Sequence, residues 1–441
     1  ELCSSPNFIV SGATRLDIRQ GELNDCWLLS AIASLSLHPS LLERVVPLQQ
    51  SFQDGYNGSF TFRFWMYGQW EEVRIDDLLP TLDNRLIYLS SPDKCEFWSP
   101  LLEKAYAKLK GGYRALNMGF PHEAMVDMTG GVTEVLNIAA LPRDLPPLLS
   151  YLLSKGALIN CATSQGPLEQ KNELGIMFRH AYSLTAVEQV KTQFVEVASF
   201  LFSLNVLSIR QVKTAHGTEC LVRLLNPWGN TEWEGAWSDL KGPEWNSVSI
   251  QEQQRLQRVS REDGEFWMSV SDFRQNFEIM EVCHQTEAFQ SSSVQPWSCS
   301  MHHGSWVRKN GTDGCCTFPD LFWQNPQFSF TLSEVDGSSR DSKTCSFVLA
   351  LMQKHQRRSG INLSIALHVY QSALCLQAHP EQTYLSPKDL SKLRPVLFSP
   401  HYSSRREVVL RSSLPPGRYL IIPSTSEPNQ QGEFLLRVLT E

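Results

Sequence analysis

The chain lacks the patterns that mark several function classes. Its eleven cysteines include no Cys-x-x-Cys pair, which argues against a structural zinc site. It has no basic excess: 39 Lys and Arg stand against 46 Asp and Glu, a net charge of -7. A nucleic-acid binder would carry a basic footprint, so none is expected as partner. No apolar run is long enough to cross a bilayer; the longest, residues 194–209, is interrupted by Glu196, Ser199, Ser203 and Asn205. No signal peptide opens the sequence, and there is no internal repeat, low-complexity block or EF-hand loop pattern. The cysteines are odd in number and irregularly spaced. In a chain this long, disulfides are not needed for folding, so the thiols are expected to be mostly reduced and the protein cytoplasmic. The first residue, Glu1, already lies in a patterned region, so a fragment with missing flanking domains is expected.

What is present is a globular composition. Apolar residues make up 42% of 441, enough for two or three domains with full cores. The first 285 residues mix helical and strand-like stretches. Residues 27–37 are apolar on nearly every face, as a buried helix is. Residues 60–75 alternate like strands, and 101–109 have helical periodicity. From Trp297 onward the texture becomes all-β. Short strand-like runs at 328–335, 345–354, 361–370, 419–422 and 433–439 are divided by turn signals such as Pro415-Pro416-Gly417. The polar stretch 286–296 reads as a linker between the two textures.

Gln20-Gly21-Glu22-Leu23-Asn24-Asp25-Cys26-Trp27 is the most informative segment. Asn24 or Asp25 is a suitable N-cap, which puts Cys26 in the first turn of the apolar helix. There the helix dipole and free N–H groups favour a thiolate, the form needed for acyl transfer. Gln20 offers an amide donor to the oxyanion, beside the backbone N–H of Cys26. A buried core thiol is the alternative for any lone Cys, but the flanking Gln, Gly and caps favour the nucleophile. A thiol nucleophile needs a base, and the base needs an orienter. His180 opens an alternating run. Asn226 ends the strand Leu221–Leu225, where Pro227 stops the ladder, and Trp228 follows as a shield over the His–Asn hydrogen bond. The order Cys, His, Asn matches the papain-like arrangement.

At these three points the chain resembles the calpains. Their segments of the form QGxLxDCWLL, HAYSxT and NPWG are all present. Glu96-Phe97-Trp98, Asp263-Gly264-Glu265-Phe266-Trp267-Met268 and Phe322-Trp323-Gln324-Asn325-Pro326 extend the resemblance over nearly the whole chain. It implies an α+β protein: a papain-like core of two subdomains, 1–120 carrying Cys26 and 121–285 carrying His180 and Asn226, then a C2-like β-sandwich at 297–441. It implies a calcium-regulated cysteine endopeptidase making limited cuts in protein substrates. The alternative is a catalytically impaired scaffold that binds calcium and partners. Two calcium sites are implied. One uses the carbonyls of Val10 and Gly12 with the carboxylates of Asp17 and Glu96. The other uses Glu232, Asp239, Asp263 and Glu265 with the carbonyl of Arg261, a hard-oxygen set that suits calcium. Arg15 matches an Arg that pairs with Glu265 across the halves, and Trp228 matches a Trp that obstructs the resting cleft.

Three departures from the family pattern stand out. Arg179 replaces the usual Gly before His180, and a long cation there would narrow the cleft or make imidazolium costlier. His180 and Asn226 are 46 residues apart, longer than usual, with an apolar insertion around 195–216 that is either a hairpin extension or a disruption. The loop 333–344 holds only Glu334, Asp336 and Asp341 as acids, so membrane binding is expected to be weak or absent. With no EF-hand domain in the chain, no small-subunit contact is expected.

Overall fold

The computed structural model describes residues 2–163, 165–167, 170–198, 211–229, 231–261, 263–285, 297–308, 319–333, 344–354, 362–371, 386–390 and 392–440. These pack as two units: 1–63, 72–128 and 134–284 form one, and 64–71, 129–133 and 285–441 the other. The division expected at 120/121 lies inside the first unit. The short pieces 64–71 and 129–133, assigned from sequence to the first and second protease subdomains, belong to the second unit. The expected linker 286–296 lies outside the described residues.

The first unit opens with helix α1 (Cys26–Ser36), buried from Trp27 to Ser36 as its all-round apolar sequence requires. Helix α2 (Pro39–Val45) follows, started by Pro at its first turn. Strands β1 (Ser59–Met66) and β2 (Gln69–Asp76) pair, and β3 (Thr81–Leu82) and β4 (Arg85–Leu86) form a tight hairpin. Its turn residues Asp83 and Asn84 have φ of 49° and 58°, a conformation those two side chains tolerate. Helix α3 (Trp98–Lys110) ends at Gly111. Helix α4 (Pro121–Thr129), β5 (Val132–Asn137), helix α5 (Pro146–Ser154), β6 (Leu158–Ala162), β7 (Ala181–Ala198), β8 (Gln211–Leu225), β9 (Glu265–Ser269) and β10 (Ile279–His284) follow. The sheet order is β5-β10-β6-β7-β8-β9.

The long insertion is a hairpin extension. Strands β7 and β8 stay paired from Ser183↔Leu225 out to Ala198↔Gln211, with one irregularity at Leu184/Ala186. His180 and Asn226 therefore remain neighbours at the base of the ladder, whatever its length. The far end, 199–210, lies outside the described residues.

One face of this sheet presents Ile159, Cys161, Tyr182, Leu184, Val222, Leu224, Phe266 and Met268 to a single apolar core. Because side chains alternate, Asn160 and Ser183 point to the opposite face, towards α1. Ser34 Oγ donates to Asn160 Oδ1 at 2.7 Å, Asn160 Nδ2 donates to Ser30 Oγ at 2.9 Å, and Ser183 Oγ donates to the Ser30 carbonyl at 2.9 Å. All four residues are buried and satisfied. Each bond contributes about 1 kcal/mol net, but stranding any partner would cost more. This ladder fixes the helix carrying Cys26 to the strand that follows His180.

The second unit is all-β. Strands β11 (Ser298–Trp306), β12 (Phe328–Leu332), β13 (Cys345–Gln353), β14 (Ile365–Gln371), β15 (Leu397–Phe398), β16 (Glu407–Leu414), β17 (Gly417–Thr425) and β18 (Gly432–Thr440) form two four-stranded sheets. The orders are β11-β18-β13-β16 and β12-β17-β14-β15. Residues of both sheets, among them Phe347, Leu349, Ile365, Leu367, Ile421 and Leu436, share one core. Arg437 is fully buried here, with Nη2 on Glu407 and Nη1 donating to the carbonyls of Gly130 and Gly131 at 2.9 Å each. The chain as a whole is α+β, and no described helix is long and apolar enough to cross a membrane. The sparsely acidic loop expected at 333–344 lies almost wholly outside the described residues.

One pair of cysteines departs from the mostly reduced state expected. Cys3 and Cys95 form a disulfide that spans 92 residues of sequence. Cys26, Cys161, Cys220, Cys283, Cys299 and Cys345 are not joined in disulfides. The pair escaped the sequence reading because the packing of the first residues beside residue 95 sets the approach. Asn7 N–H donates to the Cys95 carbonyl at 2.7 Å, and Phe97 N–H to the Asn7 carbonyl at 3.0 Å.

Candidate active site

Cys26 is the first residue of α1 and is partly exposed at a cleft. The preceding turn is held by a close approach at Gly21. A Cβ there would lie 2.3 Å from the Ile87 carbonyl oxygen, so only glycine fits. The cap differs from expectation. Asp25 occupies the N-cap position, but its side chain makes no capping hydrogen bond. It turns inward instead and meets Glu103 of α3, both 1% exposed. Burial raises both carboxyls, Asp25 to about 7 and Glu103 well above the usual range; Asp25 raises Glu103 further, while the hydrogen bond from Glu103 holds Asp25 down, so the pair keeps a proton and Glu103 carries it. The Leu89 N–H donates to Glu103 at 3.3 Å. Nothing local in the sequence signals this pair, because the two residues are 78 positions apart.

His180 immediately precedes β7, and Asn226 immediately follows β8. Asn226 N–H still donates to the Gly264 carbonyl at 2.7 Å, so the Asn is held by the next strand although its own has ended. Gly264 permits this, since a Cβ there would sit 2.6 Å from the Asn226 carbonyl oxygen. The amide orientation follows from its partners. Asn226 Nδ2 donates to the Thr231 carbonyl at 2.8 Å, and Oδ1 accepts from the Trp228 N–H at 3.0 Å. Oδ1 therefore also faces His180 Nε2, 2.7 Å away, and must accept. The proton sits on Nε2, and the Nδ1 lone pair is left to act as base. His180 is 3% exposed, and burial pushes its imidazole down to about 4 against the opposing Asn226 hydrogen bond. At neutral pH it is a neutral base, not an imidazolium.

Trp228 packs against the imidazole, its ring centroid 4.7 Å from that of His180 and tilted by 57°. Its indole N–H donates to Gln20 Oε1 at 2.5 Å, while Gln20 Nε2 donates to the Leu23 carbonyl at 2.7 Å. Trp228 thus spans from the Cys26 side to the His180 side. Gln20 keeps a second amide hydrogen for an oxyanion. The cleft, about 280 Å³, is lined by Gln20, Cys26, Phe120, Arg179, His180 and Trp228 among others.

A partly exposed thiol at a helix start, sharing a cleft with a neutral imidazole that an Asn amide orients, is the arrangement of a cysteine hydrolase. The family model described as calpain family cysteine protease matches residues 1–284, and that of calpain large subunit, domain III, matches 302–439. The chain belongs to the calpain family. It is 43% identical to the calpain-1 catalytic subunit of Mus musculus over 453 aligned positions. It is 42% identical to calpain-9 of Homo sapiens over 450, and 43% identical to calpain-8 of Homo sapiens over 452. Each alignment covers 100% of this chain but only 60–61% of the relative, so the chain spans about three fifths of these calpains' length.

The expected calcium ligands of this calpain fall into two groups of unequal fit. Near the N-terminus, Glu96 accepts from the Val10 N–H at 2.8 Å and from Ser91 Oγ at 2.8 Å. Asp17 accepts from Thr14 N–H and Oγ1 and from Trp98 Nε1. Both acids already have protein donors, and Gly12 (φ 96°) forms the turn beside them. In the second group, Glu232 Oε1 accepts from Asp263 N–H at 2.7 Å and Gly264 N–H at 2.8 Å. Asp263 is paired with the Arg261 side chain at 2.8 Å, and Glu265 with Arg15 at 2.6 Å. Asp239 differs: its Oδ1 is buried with no hydrogen-bond partner. Burial first, then the charges of Glu232, Asp263 and Glu265, push its carboxyl up to about 8. A cation would satisfy that oxygen and relieve the repulsion, so the second group fits a hard divalent ion. Among the described residues, however, no three His, Cys, Asp or Glu side chains gather into a ligand shell. In both expected sets most of the carboxylates engage protein partners. Ion pairs and backbone donors occupy most of their oxygens.

Proposed function

We propose that this calpain chain is the protease part of a calcium-regulated cysteine endopeptidase, acting in the cytoplasm with Cys26, His180 and Asn226 as its triad. The papain-like reading of the first unit and the C2-like reading of the second go with it. The observation that carries the proposal is the 2.7 Å His180 Nε2–Asn226 Oδ1 bond, in a cleft shared with the helix-start thiol of Cys26.

The chemistry follows from the proton positions. With Nε2 protonated and held by Asn226, His180 Nδ1 takes the thiol proton of Cys26. The thiolate forms a bond to the scissile carbonyl carbon. The backbone N–H of Cys26 and the second Nε2 hydrogen of Gln20 receive the oxyanion. The imidazolium then gives its proton to the leaving amine as the C–N bond breaks. Water, deprotonated by His180, hydrolyses the thioester and restores Cys26. Burial of His180 makes the imidazolium brief, which favours prompt proton return to the amine.

Trp228 sets the resting state. While its indole holds Gln20, the indole spans the ground between Cys26 and His180 that a peptide would need. Calcium, when bound, supplies fixed positive charge to carboxylates such as Glu232, Asp239 and Asp263. Glu265, bound by Arg15, joins that group to the segment leading to Gln20. The partners are protein substrates. The test is cleavage of fluorescent casein by the full-length protein in calcium and in EGTA, beside Cys26→Ala. We expect cleavage in calcium alone and none from the variant. Cleavage that persists in both EGTA and Cys26→Ala would sink the proposal.

A further inference from the structure

Two charged side chains line the cleft among the described residues, Glu281 and Arg179. Glu281 is buried and already committed: its carboxylate accepts from the His122 N–H at 3.0 Å and meets His122 Nδ1 at 2.9 Å. Arg179 is exposed, and among the described residues its guanidinium meets no acceptor. Its backbone is fixed. The Arg179 N–H donates to Thr163 Oγ1 at 2.9 Å, and φ is 53°, a left-handed conformation that a long side chain adopts only at a cost. The residue sits directly before His180, so the guanidinium is anchored one peptide from the base. The same cleft is lined by two exposed apolar residues, Phe120 at 53% and Met118 at 59%. Exposed large apolar side chains beside an unpaired cation form a surface that water serves poorly and a peptide serves well.

We propose that Arg179 is a specificity-determining residue, selecting substrates with an acidic side chain close to the scissile bond. The proposal rests on the endopeptidase reading and deepens it. A carboxylate reaching the guanidinium gains a charge-assisted, bidentate-capable partner that a neutral isostere lacks. Because Arg179 is exposed, water screens the pair. The preference for Glu over Gln is accordingly modest, roughly threefold to fivefold in kcat/KM. It falls as salt rises.

The test uses peptide pairs differing only by Glu or Gln, scanned through the positions flanking the cut, with the full-length protein in calcium. The wild type is expected to favour Glu at one position. Arg179→Gly, whose residue is at ease at φ 53°, is expected to bring that ratio to about one. Arg179→Glu is expected to favour Lys over Gln at the same position. The same peptides are titrated by fluorescence anisotropy against Cys26→Ala, with and without Arg179→Gly. A Glu preference in binding that vanishes with Arg179→Gly supports the proposal even if the wild type cuts nothing, in which case only the endopeptidase reading fails. No Glu preference at any position in either arm, or one that Arg179→Gly leaves intact, overturns it.

Discussion

Replacing Asn226 by Asp tests the geometry of the triad most directly. Asn226 Oδ1 lies 2.7 Å from His180 Nε2, and the pair is almost sealed from water, at 1% and 3% exposure. A carboxylate in that place puts a full charge about 4 Å from the centre of an imidazolium. At an effective dielectric near 20 the attraction is ~4 kcal/mol, or ~3 pKa units. Part is lost because the carboxylate must itself be desolvated, so the net rise should be about 1–2 units. The imidazole midpoint should thus climb from about 4 towards 5 to 6. The substitution also turns the Asn226 Nδ2 donor into an oxygen facing the Thr231 carbonyl, which should cost about 1–3 kcal/mol of stability. The assay is the histidine Cε1 proton shift against pH, in a Cys26→Ala background to prevent self-digestion, with the acid limb of kcat/KM as its functional counterpart. Asn226→Ala serves as the control that removes the acceptor without adding charge. An unmoved or lowered midpoint in Asn226→Asp would refute the claim that residue 226 holds the imidazole.

Other outcomes follow from neighbouring groups. The buried Asp25–Glu103 pair keeps a proton that the unfolded chain releases, so its contribution to stability is present at low pH and lost as pH rises from about 4 through the raised values, up to ~1.4 kcal/mol per unit. Buried His180 acts oppositely, losing stability as pH falls from 6.5 towards about 4. Glu103→Gln should therefore flatten the first trend only, seen as a wild-type-minus-variant difference in urea unfolding between pH 4 and 8; an unchanged difference would refute the shared proton. Asp239→Asn should raise the Tm in EGTA by removing a repelled, unpartnered carboxylate, and shrink the further rise on adding calcium. A full calcium increment in that variant would exclude Asp239 as a ligand. Cys95→Ser should lower the unfolding free energy by roughly 2–4 kcal/mol under oxidising conditions and have little effect in strong reductant, given the 92-residue span of the Cys3–Cys95 link.

The sequence by itself determined what is local and periodic. The apolar run 27–37 had to be a buried helix, with Cys26 at its start because Asp25 precedes it. The end of the strand at Asn226 was legible from Pro227, and the nucleophile, base and orienter were named by segments of distinctive composition. The all-β tail was visible too, although β11, β15 and β16 were not separately recognised. Their sheet partners lie elsewhere in the chain, and β15 is only two residues long, too short to show a period. What only the tertiary structure decided depends on long-range approach. The ladder of Ser30, Ser34, Asn160 and Ser183 joins positions up to 153 apart, and its one local trace was two serines four residues apart in an apolar helix. Asp25 read as a cap because capping is a local habit. The chain instead spends that side chain on Glu103, whose nearness no spacing encodes. The imidazole tautomer was likewise beyond the sequence, since it rests on Thr231 and Trp228 backbone groups that fix which way the Asn226 amide points. Local propensity is written in neighbouring residues. Burial, proton location and charge pairing arise only when distant segments exclude water from one another.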